Sequence, residues 1–308
     1  MKMETKTKAK TNIILRKHLF VYGLLFLPVL WAAVFIVYAN FSTIFLSFNR
    51  YGFGKTFSFY NYRRLWFDLK NTDSWRVSVK NSLLYFVVNL CIAFPLAIVF
   101  SYMIFKKIPL GKTFRALFFF PGIISVVALV LVYRYTFDAN PKIGMVTNLL
   151  IQVLGVDAAK VPMFLTDPKY AMSMVYIFTV WSGLGYNIIL LSGAMSRIPP
   201  EITESAAIDG AGPVRELCVV MIPLIWPTLS VLLITSPTII FGMFLHPMLV
   251  TPAGDISQTY TFAWLMFNEV TRNINYAAAI GVAFAVVGIA CVMTIKFLTE
   301  RVFQDIDF

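Results

Sequence analysis

The chain has 308 residues, 59% of them hydrophobic and 13% charged, with a mean hydropathy of +0.76 and a formal net charge of +11. An ordinary soluble domain carries about 25% charged residues, and a water-soluble fold of this composition would leave large apolar patches exposed, so a soluble globule is excluded. The positive charge does not indicate nucleic acid: Lys2, Lys6, Lys8, Lys10, Arg16 and Lys17 are massed before the first apolar run and others sit in short connections, the pattern of topogenic charge.

A bilayer core requires about 20 consecutive apolar residues. Six runs meet that length (20–48, 83–105, 116–133, 171–195, 222–245 and 276–295), and none contains Asp, Glu, Lys or Arg. The first is too long for a signal-peptide core and lacks a small-residue cleavage pattern, so it reads as an uncleaved anchor. Six spans place both termini on one side. The basic segment 1–19 puts that side in the cytoplasm, and Lys106, Lys107, Lys112 and Arg115 between the second and third spans agree. Residues 20–298 are then the membrane domain and 299–308 a cytoplasmic tail. The expected external loops are 49–80, 134–169 and 246–275, and within the first of them the aromatic and basic segment 62–69 reads as a short interfacial helix. Cys91, Cys218 and Cys291 are far apart, and no pattern of Cys and His suggests a metal; His18 and His246 are isolated and read as structural or interfacial. No cofactor is expected. No glycine-rich loop precedes a lysine, so the chain is not expected to hydrolyse ATP or to be an enzyme.

The second expected cytoplasmic loop, 196–222, carries the most information. Pro199 and Pro200 suit the first turn of a helix, with Glu201 at its positive end. Ser205, Ala206 and Ala207 are small enough for close approach, and Gly210 can take the left-handed conformation that ends a helix. Pro213 restarts one, with Glu216 in its first turn and Leu217, Val220 and Met221 on an apolar face. Pro223 and Pro227 lack backbone donors and should bend or break the start of the fifth span. Spacing alone leaves two readings open: a helix that seats in another protein's groove, or an amphipathic elbow resting at the lipid surface.

The sequence from Glu204 to Ala211 (ESAAIDGA), followed by Leu217, Ile222, Pro223 and Pro227, resembles the EAA loop of binding-protein-dependent ABC importer permeases. Ser205 and Leu217 depart from that pattern's Ala and Phe but keep roughly the required size. Residues 118–124 (FFFPGII) are similar to the opening of the third span in the carbohydrate branch, Trp181 with Gly185-Tyr-Asn-Ile-Ile189 to its fourth span, and Tyr276-Ala-Ala-Ala279 to the start of its sixth. Phe59-Tyr-Asn-Tyr62 with Leu65 and Asp68 resembles its first external loop, and the whole is nearer the maltose F and glycerol-phosphate A type than their partner subunits. Thr251-Pro-Ala-Gly254 stands where the branch often shows T-x-G-G-P.

The resemblance implies an all-α membrane protein, a six-helix bundle of the type I importer permease kind with a cytoplasmic coupling helix, in a bacterial-type plasma membrane. It also implies a heterodimer with a second permease, an ABC ATPase dimer beneath and an extracellular solute-binding protein. Because segment 62–69, with Arg63 and Arg64, is expected on the side from which solute is delivered, it is expected to contact that binding protein as well. Glu204, Ser205, Ala206, Ala207, Asp209, Gly210, Ala211 and Pro223 would couple to the ATPase. A solute path near the midplane is expected among Thr179, Ser182, Gly183, Tyr186, Asn187 and Ser236. The asparagines that hold sugar hydroxyls in the maltose permease fall here on Ile240 and Met243, which cannot hydrogen-bond a hydroxyl. The rival reading, an ion-coupled secondary transporter, would require ionisable groups inside the spans or an inverted repeat, and neither is present in the sequence.

Overall fold

The protein is represented by a computed structural model that describes residues 2–50, 57–251 and 257–302, with side chains described from residue 17 onward and not at 257 or 302. Among these residues secondary structure is helical throughout, apart from one isolated bridge between Asn49 and Phe57. Helix α1 begins at Lys2 and reaches Ser47 through a π-helical stretch, Ala33–Tyr38, its apolar part being Lys17–Ser47. There follow α2 (Tyr60–Asn71), α3 (Asp73–Phe105), α4 (Gly111–Ile123), α5 (Val126–Thr136), α6 (Met145–Gln152), α7 (Pro168–Met195), α8 (Pro200–Ile208), α9 (Pro213–Leu224), α10 (Trp226–Gly242), α11 (Leu245–Val250), α12 (Phe262–Arg272) and α13 (Ile274–Val302).

Four of these, α1, α3, α7 and α13, are long and apolar enough to cross a membrane unbroken. The two remaining spans differ from the continuous helices expected at 116–133 and 222–245. The α4–α5 pair bends by 108°, because Ile124 and Ser125 leave the helical conformation after α4 ends at Ile123, two residues past Pro121. The α9–α10 pair bends by 77° at Ile225, between Pro223 and Pro227, each of which removes a ladder donor. The fifth span therefore starts at Pro213 rather than residue 222, and α3 starts ten residues ahead of the expected second span. The expected tail boundary at 299 falls inside α13, and 303–308 lie outside the described residues, as do Pro252, Ala253 and Gly254 of the divergent loop.

The motifs quoted above meet in pairs. Tyr276 Oη donates to Asp68 Oδ2 at 2.6 Å, the Arg64 guanidinium lies 4.0 Å over the Tyr276 ring, and Leu65, Trp75, Phe262, Tyr276 and Ile280 form a core where α2, α3, α12 and α13 join. Asn61 donates to the carbonyls of Ser47 and Asn49, which fixes the return of the chain from α1 into α2. The opening of the third span meets the fourth at Gly185: a Cβ there would lie 2.2 Å from the Phe118 carbonyl oxygen, so α4 and α7 approach backbone to backbone. Other polar side chains are satisfied across the bundle, as lipid favours. Asn81 donates to Gln258 and Tyr260 carbonyls, and Ser82 Oγ accepts from the Phe262 amide. From Lys17 onward the apolar side chains of α1 are exposed almost throughout, and its C-terminal end packs on the rest, against α13. Such a surface is stable facing lipid or another apolar helix, not water.

Candidate functional site

A cavity of about 520 Å³ opens among α3, α4, α5, α7, α10 and α11. Thr179, Ser182, Gly183, Tyr186 and Asn187 come to it from α7, and Ser236 and Met243 from α10 and the turn after it. Ile240 is the one residue of the expected solute path that the structure leaves out of the lining. Tyr186 is 65% exposed beside Gly183, whose missing side chain leaves open space within 4 Å, so an aromatic face stands next to a flat stretch of helix. No Asp, Glu, Lys or Arg lines the cavity among the described residues.

Its serine and threonine hydroxyls share one chemistry. Thr179 Oγ1 donates to the Val175 carbonyl at 2.7 Å, Thr235 Oγ1 to Val231, Ser236 Oγ to Leu233 at 2.7 Å, and Thr238 Oγ1 to Thr235 at 2.6 Å. A helix interior has few better acceptors, and each hydroxyl has one hydrogen to give. These oxygens therefore reach the cavity as acceptors. The side chains of Asn89 and Asn187, which make no hydrogen bond within the described residues, bring donors as well.

His246, which as an isolated histidine reads as structural, also lines the cavity. Its ring stands edge-on to Phe178, and Nδ1 lies 3.3 Å from Thr179 Oγ1. The imidazole thus brings a ring nitrogen to the cavity wall as a hydrogen-bonding group beside Thr179. Its position just beyond the fifth span, in a loop expected to lie outside, gave no sequence signal; the packing of α11 on α7 sets it beside Thr179.

The loop 196–222 forms the helix, turn and helix that its prolines and glycine predict. α8 ends in a Schellman motif: Ala211 N donates to the Ala206 carbonyl at 2.9 Å, Gly210 N to Ala207 at 3.1 Å, and Gly210 has φ +73°. Glu204, Ser205, Ala207, Asp209 and Gly210 are exposed and Ala211 is half-buried, but Ala206 is turned inward and nine-tenths buried against its own chain. Pro223 is half-buried at the break before α10. The most exposed apolar side chains of the loop are Ile208 (86%) and Val214 (76%), on either side of the turn. Glu216, expected simply to sit in a first helical turn, is buried. In α2, Leu65 and Asn61 face inward and Trp66 and Phe67 outward, the amphipathic helix expected. Arg64, however, is engaged with Asp68 (3.5 Å), Glu269 (4.0 Å) and Tyr276, which leaves Arg63 and Lys70 as the exposed basic groups of α2.

Residues 74–304 match the family described as binding-protein-dependent transport system inner membrane component. The chain belongs to that family. It is thus the membrane component of a transport system rather than an enzyme. It is similar to the multiple sugar-binding transport system permease protein MsmF of Streptococcus mutans, 27% identical over 282 residues that cover 88% of this chain and 92% of that one. It is similar also to the lactose transport system permease protein LacF of Rhizobium radiobacter, 26% identical over 247 residues, 78% of this chain and 80% of that one. Its fold is that of a chain in the crystal structure of a bacterial alginate ABC transporter in complex with an alginate pentasaccharide-bound periplasmic protein. The TM-score is 0.81 at 21% identity, over 94% of this chain and 96% of that one. The type I importer permease fold implied by the EAA-like loop is therefore the fold of this membrane component.

Proposed function

We propose that the chain is one permease subunit of an ATP-driven importer of a neutral sugar or oligosaccharide. It would pair with a second permease, sit on an ABC ATPase dimer and receive solute from an extracellular binding protein. The observation that carries the sugar reading is the cavity: uncharged, rich in acceptor oxygens with a few amide donors, and provided with an exposed tyrosine beside a bare glycine. A sugar hydroxyl both gives and takes a hydrogen bond, and its C–H face packs on an aromatic ring, so this lining suits a polyhydroxylated solute. A carboxylated saccharide would need cationic partners that this half of the path lacks. The names of the sugar permease relatives agree with the reading.

The loop supports ATPase coupling. Ile208 and Val214 flank a rigidly capped turn, and such side chains gain from being covered by a partner groove. Glu204, Ser205, Ala207, Asp209 and Gly210 form the surface that would be seated there; Ala206 supports it from beneath, and Ala211 and Pro223 shape the return into the membrane. The basic N-terminal segment and the 106–115 connection support a cytoplasmic position for the loop and both termini.

Purification of the tagged chain from its native membrane should bring down an ATPase and a second six-span permease, identified by mass spectrometry. The complex in liposomes, with binding protein, should take up neutral oligosaccharide only when ATP is supplied. Uptake by the chain alone, driven by an ion gradient, would establish the secondary-transporter reading instead.

A further inference from the structure

At the loop end of the bundle lies an ion pair between a buried carboxylate and an exposed lysine that the solute cavity and the loop surface do not use. Glu216 is 5% exposed, at the first residue of a π-helical stretch, Glu216–Met221, within α9. Its Oε1 lies 2.6 Å from the Lys106 ammonium and accepts no other hydrogen bond among the described residues. Its Oε2 accepts from Tyr102 Oη at 2.9 Å. Tyr102 is in the last turn of α3, and Lys106 follows that helix directly, ahead of a tight connection in which Lys107 and Leu110 have positive φ. On its buried side Tyr102 belongs to one apolar core with Leu191, Met195, Ile198 and Met221, and Leu217 packs against that core.

A carboxylate in such a place is costly unless both oxygens are served, and pulling Lys106 away would leave Oε1 bare. Apolar packing is non-directional and lets one helix slide on another. A doubly anchored carboxylate does not. Glu216 opens the π stretch, between the turn at Gly210 and the rest of α9, where the regular i→i−4 ladder is interrupted. Motion applied at the turn would dissipate there unless α9 were tied to something ahead of it.

We propose that Glu216 is a positioning residue, a strut that fixes the start of α9 to the end of α3, so that displacement of the loop moves the second span together with the fifth. The proposal rests on the coupling reading above. It requires the Glu216–Lys106 contact to persist through the transport cycle.

The test uses the complete reconstituted complex with its binding protein, scored as solute imported per ATP hydrolysed and normalised to assembled complex. Glu216→Gln and Lys106→Met should each lower that ratio at least tenfold while ATP is still hydrolysed, and Lys106→Arg should retain it. Lys106→Met with Glu216→Gln, which leaves no unpaired charge, should recover thermal stability but not the ratio. Variants that reduce only the amount or melting temperature of the complex, with a normal ratio, would overturn the proposal and leave a purely structural pair. Should the singles fail to assemble, a second measurement remains. With Cys91, Cys218 and Cys291 replaced by serine, Lys106→Cys and Glu216→Cys bridged by a short bis-maleimide should still transport. Loss of uptake on bridging would show that the contact opens and refute the strut. Ile208→Asp serves as the parallel control: if it couples normally the coupling reading itself fails, whereas silent pair variants beside an uncoupled Ile208→Asp reject the strut alone.

Discussion

Gly185→Ala tests the backbone contact between α4 and α7 with a built-in control two residues away. The added methyl would lie 2.2 Å from the Phe118 carbonyl oxygen, 2.8 Å from its carbon and 2.9 Å from Phe119 Cα. All three are main-chain atoms of a helix, so no rotamer change relieves the clash. Ordinary contacts lie near ~3.5 Å, so α4 would have to move by roughly 1 Å. Overpacking costs about 1–3 kcal/mol, and a rigid backbone neighbour puts this site at the upper end. Against that, replacing a mid-helix glycine by alanine contributes about 1 kcal/mol through helix propensity. The net loss is therefore about 2 kcal/mol. At Gly183 on the same helix nothing lies within 4 Å, so the same change gains up to about 1 kcal/mol and loses nothing. The two variants should differ by about 3 kcal/mol, which at about 2–4 °C per kcal/mol separates their melting temperatures by roughly 6–12 °C. Thermal unfolding of the purified complex, followed by tryptophan fluorescence, reads this directly. Equal melting temperatures, or a more stable Gly185→Ala, would refute the close approach.

Three further outcomes follow from the two candidate sites. Ile208→Asp and Gly210→Val should each reduce uptake at least tenfold in complexes that still contain both permeases, the second because a β-branched residue at φ +73° opposes the Schellman turn by roughly 1–2 kcal/mol; uptake assays on quantified membranes check both. His246→Leu should raise the KM for uptake by about 2- to 12-fold with little change in maximal rate, as expected for one hydrogen bond of about 0.5–1.5 kcal/mol, and His246→Gln, which keeps a hydrogen-bonding group, should raise it less. In a cysteine-free background, Cys introduced at Thr5 or Arg215 should resist an impermeant maleimide in intact cells, while Cys at Lys142 should react.

Membrane residence and the number of apolar runs were legible from composition and run length, because lipid admits only long uncharged helices. The loop was legible in some detail. Pro200, Gly210 and Pro213 act through their own backbone, and each stands at the start, turn or restart that its chemistry dictates. The broken spans were half visible: Pro223 and Pro227 announced one, whereas the 108° bend after Pro121-Gly122 lay inside a run that hydropathy reads as uniform. Run length measures polarity and cannot register a change of axis.

Burial and partnership were not legible. Ala206 has the same composition and spacing as Ala207, yet one supports the turn from inside and the other faces outward. Glu216 looked like a first-turn carboxylate, and Lys106 like a topogenic charge, until the end of α3 was brought against α9. His246 had no neighbour in sequence to mark it; its hydrogen bond to Thr179 spans 67 positions. What the sequence by itself determined are the properties each residue carries with it: polarity, backbone freedom and the period of a helix. What only the tertiary structure decided is which polar groups meet across the bundle, because in an apolar solvent a charge or hydroxyl is placed by the partner that satisfies it, and that partner is chosen by packing between helices far apart in the chain.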